Sequence, residues 1–435
     1  MDVDRDNASS RPLQILILED LAADAELCRA ALERGGLDCV VQHVARREEF
    51  EQALKESAPD LILCDFSMPG FDGFAALDVA KALRPGVPFI FVAGVIGEAR
   101  AVEAVKRGAA DCILKSDLGR LVPVIERTIG EREAERTERA SRMRAIFDRI
   151  DAASDGASDA QALKVRASEL VELERQLRRA FEERQFVLHY QPRISLTTGN
   201  VCGLEALIRW ENPDLGLVRA GHFVPLLEAN GLIIEVGLWA LQRAAADFAA
   251  WHAAGLNPPS VAVNVSAVQL RAADFVGDAV AAIAASGAGN KIEIEVTEST
   301  LMGDVDANAR KLQALRDAGV KIALDDFGTG YSSLSYLAQL PADLLKISRP
   351  FVGAMTSSPQ HMAVVTTIIS LARSLKLRAV AEGVETDEEA RLLHLLRCDE
   401  GQGYLYSFPV PAEEVGPMLQ RLDADRAASG SAWLH

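Results

Sequence analysis

The sequence lacks an excess of basic residues, a long apolar run and any metal-type cysteine spacing, and each absence narrows the field. With 46 Lys and Arg against 63 Asp and Glu, the formal net charge is −17, which excludes a broad basic face tracking a nucleic-acid backbone. No DNA partner is expected, and an anionic substrate has to be met locally, by metal ions or a few placed cations. No apolar stretch approaches the roughly 20 residues of a membrane span, and the first residues carry no basic start followed by an apolar core. Neither export nor membrane insertion is expected. The six cysteines, Cys28, Cys39, Cys64, Cys112, Cys202 and Cys398, show no CxxC or other zinc spacing, which suits free thiols in the cytoplasm. A histidine cluster, a GxxxxGK loop and a GxSxG elbow are also missing.

What is present is a chain of 435 residues, 49% apolar and 25% charged, too long for one ordinary core and too apolar for disorder. Its first part alternates short apolar runs (LQILILED, CVVQHVA, DLILCD, PFIFVAG, DCILK) with segments of helix length, the pattern of a doubly wound parallel sheet wrapped by helices. A charged helical stretch with a soft Asp-Gly-Ala-Ser interruption near Gly156 follows, either a solvated face or a dimerising signalling helix. A second, longer alternation then runs through SVAVNVS, KIEIEVTES, VKIALDDFG, LLKIS, RAVAEGVE and GQGY. One intervening amphipathic stretch, residues 307–318, closes on Gly319 as a helix C-cap. Each run is apolar and then ends in carboxylates, amides or glycine, as in a (β/α)8 barrel whose site is assembled from many strand ends. The boundaries read as 12–133 for the first domain, 134–172 for a helical linker, 173–425 for the barrel and 426–435 for a disordered tail.

In the first domain Glu19 and Asp20 end the first strand and Asp65 ends the third, so a parallel sheet projects all three carboxylates from one edge. Like charges that close require a divalent cation, and Mg²⁺ suits a few carboxylates plus phosphate oxygens. Lys115 ends the fifth strand at the same edge and can meet a phosphoryl oxygen. These residues and their order, with Pro69 and Gly70 in DFSMPGFDG and the GAADCILK run, resemble the response-regulator receiver (CheY-like) domain. The resemblance implies that Asp65 accepts a phosphoryl group from a histidine kinase while Glu19 and Asp20 hold one Mg²⁺. Two positions depart from that pattern. Ala93 stands where receivers usually carry Ser or Thr, and Cys112 where an aromatic switch residue is usual.

In the barrel the candidates are Glu205 in CGLEALIRW, Asn264 in VNVS, Glu295 and Glu298 in EVTES, Asp325 and Asp326 in ALDDFGTGYSS, Lys346 in LLKIS, Glu382 and Glu385 in AEGVE, and Gln402 in GQGY. Only a closed barrel can gather residues so far apart in sequence, and without cations their carboxylates would repel strongly. Two divalent ions about 4 Å apart resolve that repulsion and supply phosphodiester chemistry. Oxygen ligands with one amide favour Mg²⁺ or Mn²⁺. EALIRW, DDFGTGYSS and AEGVE, in this order, resemble the EAL-domain cyclic di-GMP phosphodiesterases.

That resemblance implies Glu205, Asn264, Glu295 and Asp325 around one metal and Asp325 and Asp326 on a second, with Glu382 also in the metal set. Lys346 and Glu382 then lie close to the attacking water and Gln402 helps position it. Gln191, Leu207, Arg209 and Asp326 line the substrate pocket, Arg209 on a phosphate, and Glu298 anchors the loop at residues 327–333. The family usually reads Lys-Ile-Asp where this chain has Lys346, Ile347 and Ser348. No GGDEF-like segment lies between the domains, so no cyclase is expected there.

Two functions stand open at this point. One is hydrolysis of cyclic di-GMP to linear pGpG by a homodimer or larger homo-oligomer under receiver control. The other is a catalytically weak or silent cyclic di-GMP receptor acting through protein partners, for which Ser348 is the only encouragement. Glu385 is as easily a structural cap or ion pair as a site residue.

Overall fold

The computed structural model describes residues 11–68, 70–95, 97–152, 160–256, 258–301, 304–328, 337 and 339–429. The chain divides into two units, Met1–Met143 and Arg144–His435.

In the first unit the apolar runs become five parallel strands: β1 (Leu13–Leu18), β2 (Cys39–Val44), β3 (Leu61–Asp65), β4 (Phe89–Ala93) and β5 (Asp111–Leu114). They are ordered β2-β1-β3-β4-β5, with α1 (Ala22–Arg34), α2 (Arg47–Glu56), α3 (Gly73–Leu83) and α4 (Glu98–Lys106) in the crossovers. This is the doubly wound sheet read from the alternation. Strands β3 and β4 are buried at every residue, which is why they read as continuous apolar runs rather than alternating ones. Phe66, Phe74 and Phe91 pack edge to face against one another on one side. Asp72 starts α3 by accepting from the Phe74 amide, the usual N-cap arrangement.

Helix α5 spans Leu121–Ala152 and α6 spans Ala160–Glu182. The expected helical linker is therefore helical on both sides of residues 153–159, which lie outside the described residues.

The second unit is a closed barrel. Its strands are β6 (Phe186–Ser195), β7 (Val201–Asn212), β9 (Val261–Asn264), β10 (Ile292–Thr297), β11 (Lys321–Phe327), β12 (Leu344–Ile347), β13 (Arg378–Glu382) and β14 (Glu400–Gln402), with β8 (Gly216–Arg219) and β15 (Val410–Pro411) as short additions. The ring runs β6-β14-β13-β12-β11-β10-β9-β7 and closes through β6–β7. The expected (β/α)8 barrel is there, with seven parallel strands and one, β6, antiparallel to both its neighbours. A period of two marks a strand but carries no sign of its direction.

The register places Gln191 opposite Glu205 and Arg193 opposite Gly203. A side chain at Gly203 would collide with the Arg193 guanidinium, so glycine there makes room for an arginine inside the barrel. Capping boxes at Ser266/Gln269 and Thr386/Glu389 start two of the outer helices, each satisfying two otherwise orphaned amides. The expected disordered tail begins as helix, because the last helix continues through Arg426 to Ser429. Among the described residues no helix is long and apolar enough to cross a membrane.

Candidate functional site

The edge of the first sheet gathers the residues its parallel strands predict. Oxygens of Glu19, Asp20 and Asp65 lie within 4.8 Å of one another, and the Lys115 ammonium stands 2.7 Å from Glu19 and 3.3 Å from Asp65. A fourth acid, Asp24 in the first turn of α1, receives the same ammonium at 2.6 Å. Sequence reasoning missed it, since an acid in a first helical turn reads as a helix-dipole partner. Burial pushes the Glu19 carboxyl up. Burial alone would lower Lys115, but its bonds to Asp24 and Glu19 outweigh that and raise it. Ala93 is buried at the end of β4 and Cys112 is half-buried in β5, so neither offers a hydroxyl or an aromatic ring at this edge. Pro69 lies outside the described residues.

The barrel mouth is organised around Lys346, which has no exposed surface. Its ammonium lies 2.5 Å from Glu382, 2.6 Å from Glu295 and 3.4 Å from both Glu205 and Asp325. Glu205 is the hub. Asn264 donates to its Oε1 at 2.7 Å and Gln402 to its Oε2 at 2.6 Å, while Gln402 also donates to Gln191 at 3.1 Å. Asp325 accepts from the Asp326 amide at 2.8 Å, and Asp326 receives the Ser348 hydroxyl at 2.9 Å. The backbone of Asp326 is left-handed, with φ +54°, a conformation that Asp tolerates better than most residues. Oxygens of Asp325, Asp326 and Glu382 fall within 4.8 Å of one another.

Four carboxylates on one buried ammonium leave negative charge uncompensated, and the proton affinities show it. Burial drives Glu295 well above its ordinary value and raises Asp325, with Lys346 opposing in both. Glu382 is pushed up to about 8 by burial against the same opposition. Glu205 goes the other way. Burial raises it, but Lys346, Gln402 and Asn264 together hold it below the ordinary range. Lys346 itself is raised well above its ordinary value, because Asp325, Glu205, Glu295 and Glu382 outweigh burial.

This donor set, with a buried oxygen of Gln402 lacking any hydrogen-bond partner, fits divalent cations of the oxygen-preferring kind. Below it, the fully buried Arg193 pairs with Glu293 and stands 3.7 Å from Glu295 and 3.6 Å from Glu400. That layer was also missed, because an arginine beside a strand proline reads as surface.

The remaining candidates separate. Glu298 accepts from the Gly328 amide at 3.1 Å, consistent with anchoring the loop that follows, although residues 329–336 lie outside the described ones. Arg209 and Leu207 follow Glu205 on β7 at alternate positions, so both point the way Glu205 does. Burial, then Arg219, lowers Arg209, with Tyr404 and Glu205 opposing. Glu385 pairs with Arg349 at 2.7 Å on the surface and makes no contact with Lys346, so it is the structural ion pair.

The chain thus combines an acid-edged doubly wound domain with a barrel whose mouth is acidic and lysine-centred. The EAL domain model matches residues 174–409 and the response regulator receiver domain model residues 15–126. The chain belongs to the EAL domain family and carries a receiver domain.

It is 43% identical over 256 residues to the bifunctional diguanylate cyclase/cyclic di-GMP phosphodiesterase MucR of Pseudomonas aeruginosa, covering 58% of this chain and 37% of that protein. To the cyclic di-GMP phosphodiesterase NbdA of the same organism it is 41% identical, covering 61% and 34%. The chain thus spans about a third of the length of these curated relatives. Among solved structures, the MucR phosphodiesterase in complex with cyclic di-GMP aligns with a TM-score of 0.55 at 43% identity, covering 56% of this chain and 99% of that one. The EAL enzyme Bd1971 bound to cAMP and cyclic di-GMP aligns with a TM-score of 0.56 at 33% identity, covering 64% and 74%.

Proposed function

We propose that the barrel hydrolyses one phosphodiester of cyclic di-GMP to linear pGpG, using two Mg²⁺ or Mn²⁺ ions, and that phosphorylation of Asp65 controls it. The observation that carries the reading is the intact set Glu205, Asn264, Glu295, Asp325, Asp326, Lys346, Glu382 and Gln402 converging on one mouth. The likeness to a phosphodiesterase solved with cyclic di-GMP supports it.

Glu205, Asn264, Glu295 and Asp325 would hold one ion, and Asp325, Asp326 and Glu382 the second. Bound there, the ions polarise the phosphodiester and make water a competent nucleophile near neutral pH. The protein's own groups do the rest. Lys346 fixes four carboxylates at once and keeps a positive charge beside the position of the attacking water. Glu382, whose Oε1 stands 2.5 Å from Lys346, lies with it close to the attacking water. Gln402 and Asn264 lock Glu205 in rotation, and Arg209, with Gln191 and Leu207 on the same wall, faces the substrate's phosphates. Water adds to phosphorus as the bond to one ribose 3′ oxygen breaks, giving the linear dinucleotide.

In the receiver, Glu19, Asp20 and Asp65 would hold one Mg²⁺ while a histidine kinase supplies the phosphoryl group. Homo-oligomerisation and a cytoplasmic location complete the reading. The test is product analysis with cyclic di-GMP and Mg²⁺ or Mn²⁺, for wild type and Glu205→Ala, with and without a small-molecule phosphodonor. Appearance of pGpG that disappears in the variant supports the enzyme, and a rate altered by the donor supports receiver control. Ligand binding without product would make the barrel a receptor.

A further inference from the structure

The end of the barrel opposite the mouth carries a second concentration of charge, of the other sign. Lys321 and Arg378 open β11 and β13, the strands that carry Asp325 and Glu382 towards their far ends. Beside them, with Arg316 and Lys376, lies a cavity of about 530 Å³ in which Asp343 is the only lining carboxylate among the described residues. Four cations to one acid is a local reversal in a chain of net charge −17. Leu340, Leu375 and Leu377 supply an apolar wall, and the volume lies in the range of small-molecule sites.

Each cation can turn to a ligand without stranding the acid it meets. Arg378 stands 2.5 Å from Glu400 and Lys321 3.7 Å from Glu293, but both of these buried carboxylates are shared with Arg193. Arg316 meets Asp343 at 3.0 Å, and Asp343 also accepts from the Ile322 amide at 3.0 Å. An acid that keeps a second partner escapes the penalty of an unpaired buried charge. Lys376 makes no ion pair among the described residues. It follows the helix Pro359–Ser374 in left-handed backbone, with φ +60°, and the Leu377 amide closes that turn on Ala372 at 2.8 Å. The helix end thus fixes the lysine backbone beside the cavity.

We infer that this floor cavity binds an organic phosphate of nucleotide size, its phosphate on Arg316, Lys321, Lys376 and Arg378 and its body against the leucines. Two guanidinium and two ammonium groups, brought together by two turns of the chain, offer a phosphate both forked and point-charge contacts. A bare inorganic anion would leave the leucine wall and most of the volume unused, and an uncharged body would gain nothing from the cations. The cavity is separate from the mouth, so the inference goes beyond the phosphodiesterase reading and does not depend on it.

The test is calorimetry on the full chain in chelator, with GMP as the nucleotide probe, guanosine as its uncharged body and pyrophosphate as the bare anion. The variants are Arg316→Gln combined with Lys376→Asn, asparagine being chosen because it tolerates left-handed backbone, and Lys376→Arg, which keeps the charge. GMP is expected to bind wild type about tenfold or more tightly than guanosine or pyrophosphate. The double variant is expected to bind GMP about tenfold or more weakly, the scale of losing hydrogen bonds to a charged group, and Lys376→Arg to stay within a few-fold of wild type. Hydrolysis of cyclic di-GMP by the double variant is expected within about twofold of wild type, since neither residue touches the mouth. Absence of GMP binding overturns the inference, and equal binding by wild type and the double variant overturns it by placing the nucleotide elsewhere. Guanosine or pyrophosphate binding as tightly as GMP overturns it too, the latter leaving an adventitious anion patch only. A wild type that makes no pGpG defeats the phosphodiesterase reading and leaves the calorimetry untouched.

Discussion

Replacing Lys346 by Met removes the ammonium that meets Glu205, Glu295, Asp325 and Glu382 while keeping much of the side-chain volume. Without metal, at least one further carboxylate must then take up a proton in the fold. From an ordinary value of 4.5, holding a proton at pH 7 spans 2.5 units, or about 3.4 kcal/mol at 1.36 kcal/mol per unit. This agrees with the ~3–5 kcal/mol typical for removing one partner of a buried ion pair. For a domain of this size it corresponds to a melting temperature lower by on the order of 10 °C.

The assay is thermal unfolding of wild type and Lys346→Met at pH 7 in chelator, at pH 5 in chelator, and at pH 7 with Mg²⁺. The deficit should shrink at pH 5, where the same proton requires only about 0.7 kcal/mol, and Mg²⁺ should raise the variant's melting temperature more than the wild type's. Equal melting of the two proteins in chelator would refute the reasoning. A deficit indifferent to both pH and metal would assign Lys346 to packing alone.

The metal-free barrel should lose stability as pH rises from about 4.5 towards 8. Glu382, pushed up to about 8, keeps a proton that the unfolded chain has already released, so the slope is negative, up to about 1.4 kcal/mol per pH unit for each such proton. Glu205, held low, acts only as pH falls below about 4.5, and melting scans across this range with and without Mg²⁺ check the sign. Ser348→Ala, which removes the hydroxyl from Asp326, should weaken Mg²⁺ binding about tenfold by calorimetry, as expected for one hydrogen bond to a charged group; unchanged affinity would make Ser348 a bystander. Asp24→Asn should loosen Lys115 from α1 and speed labelling of Asp65 by a small phosphodonor by several-fold, whereas slower labelling would mean that Asp24 assists the site.

Much of this site could be read before any coordinates because apolar strands ending in acids are expensive unless something binds there. Glu205, Asp325, Lys346 and Glu382 announce themselves in that way, as do Glu19, Asp20 and Asp65. Other features were invisible for stated reasons. Arg193 meets Glu293 and Glu400 only after about one hundred and two hundred residues of intervening chain have closed the barrel, and nothing local marks an arginine as interior. Asp24 reaches Lys115 across 91 positions. The reversed direction of β6 leaves no trace in a pattern of period two.

The reversed β6 also decides where the chain enters the barrel. In a ring of uniformly parallel strands the first strand would start at the floor, as far from the chemistry as the architecture permits. Here Phe186 lies opposite Trp210, beyond Glu205 on the mouth side, and α6 feeds directly into it. Phe181 of that helix packs on Phe186, which stacks on Phe223, and Gln185 accepts from the Trp210 indole at 3.0 Å. The helix that leads into the barrel is therefore packed against the rim that carries Leu207 and Arg209 and not against its floor.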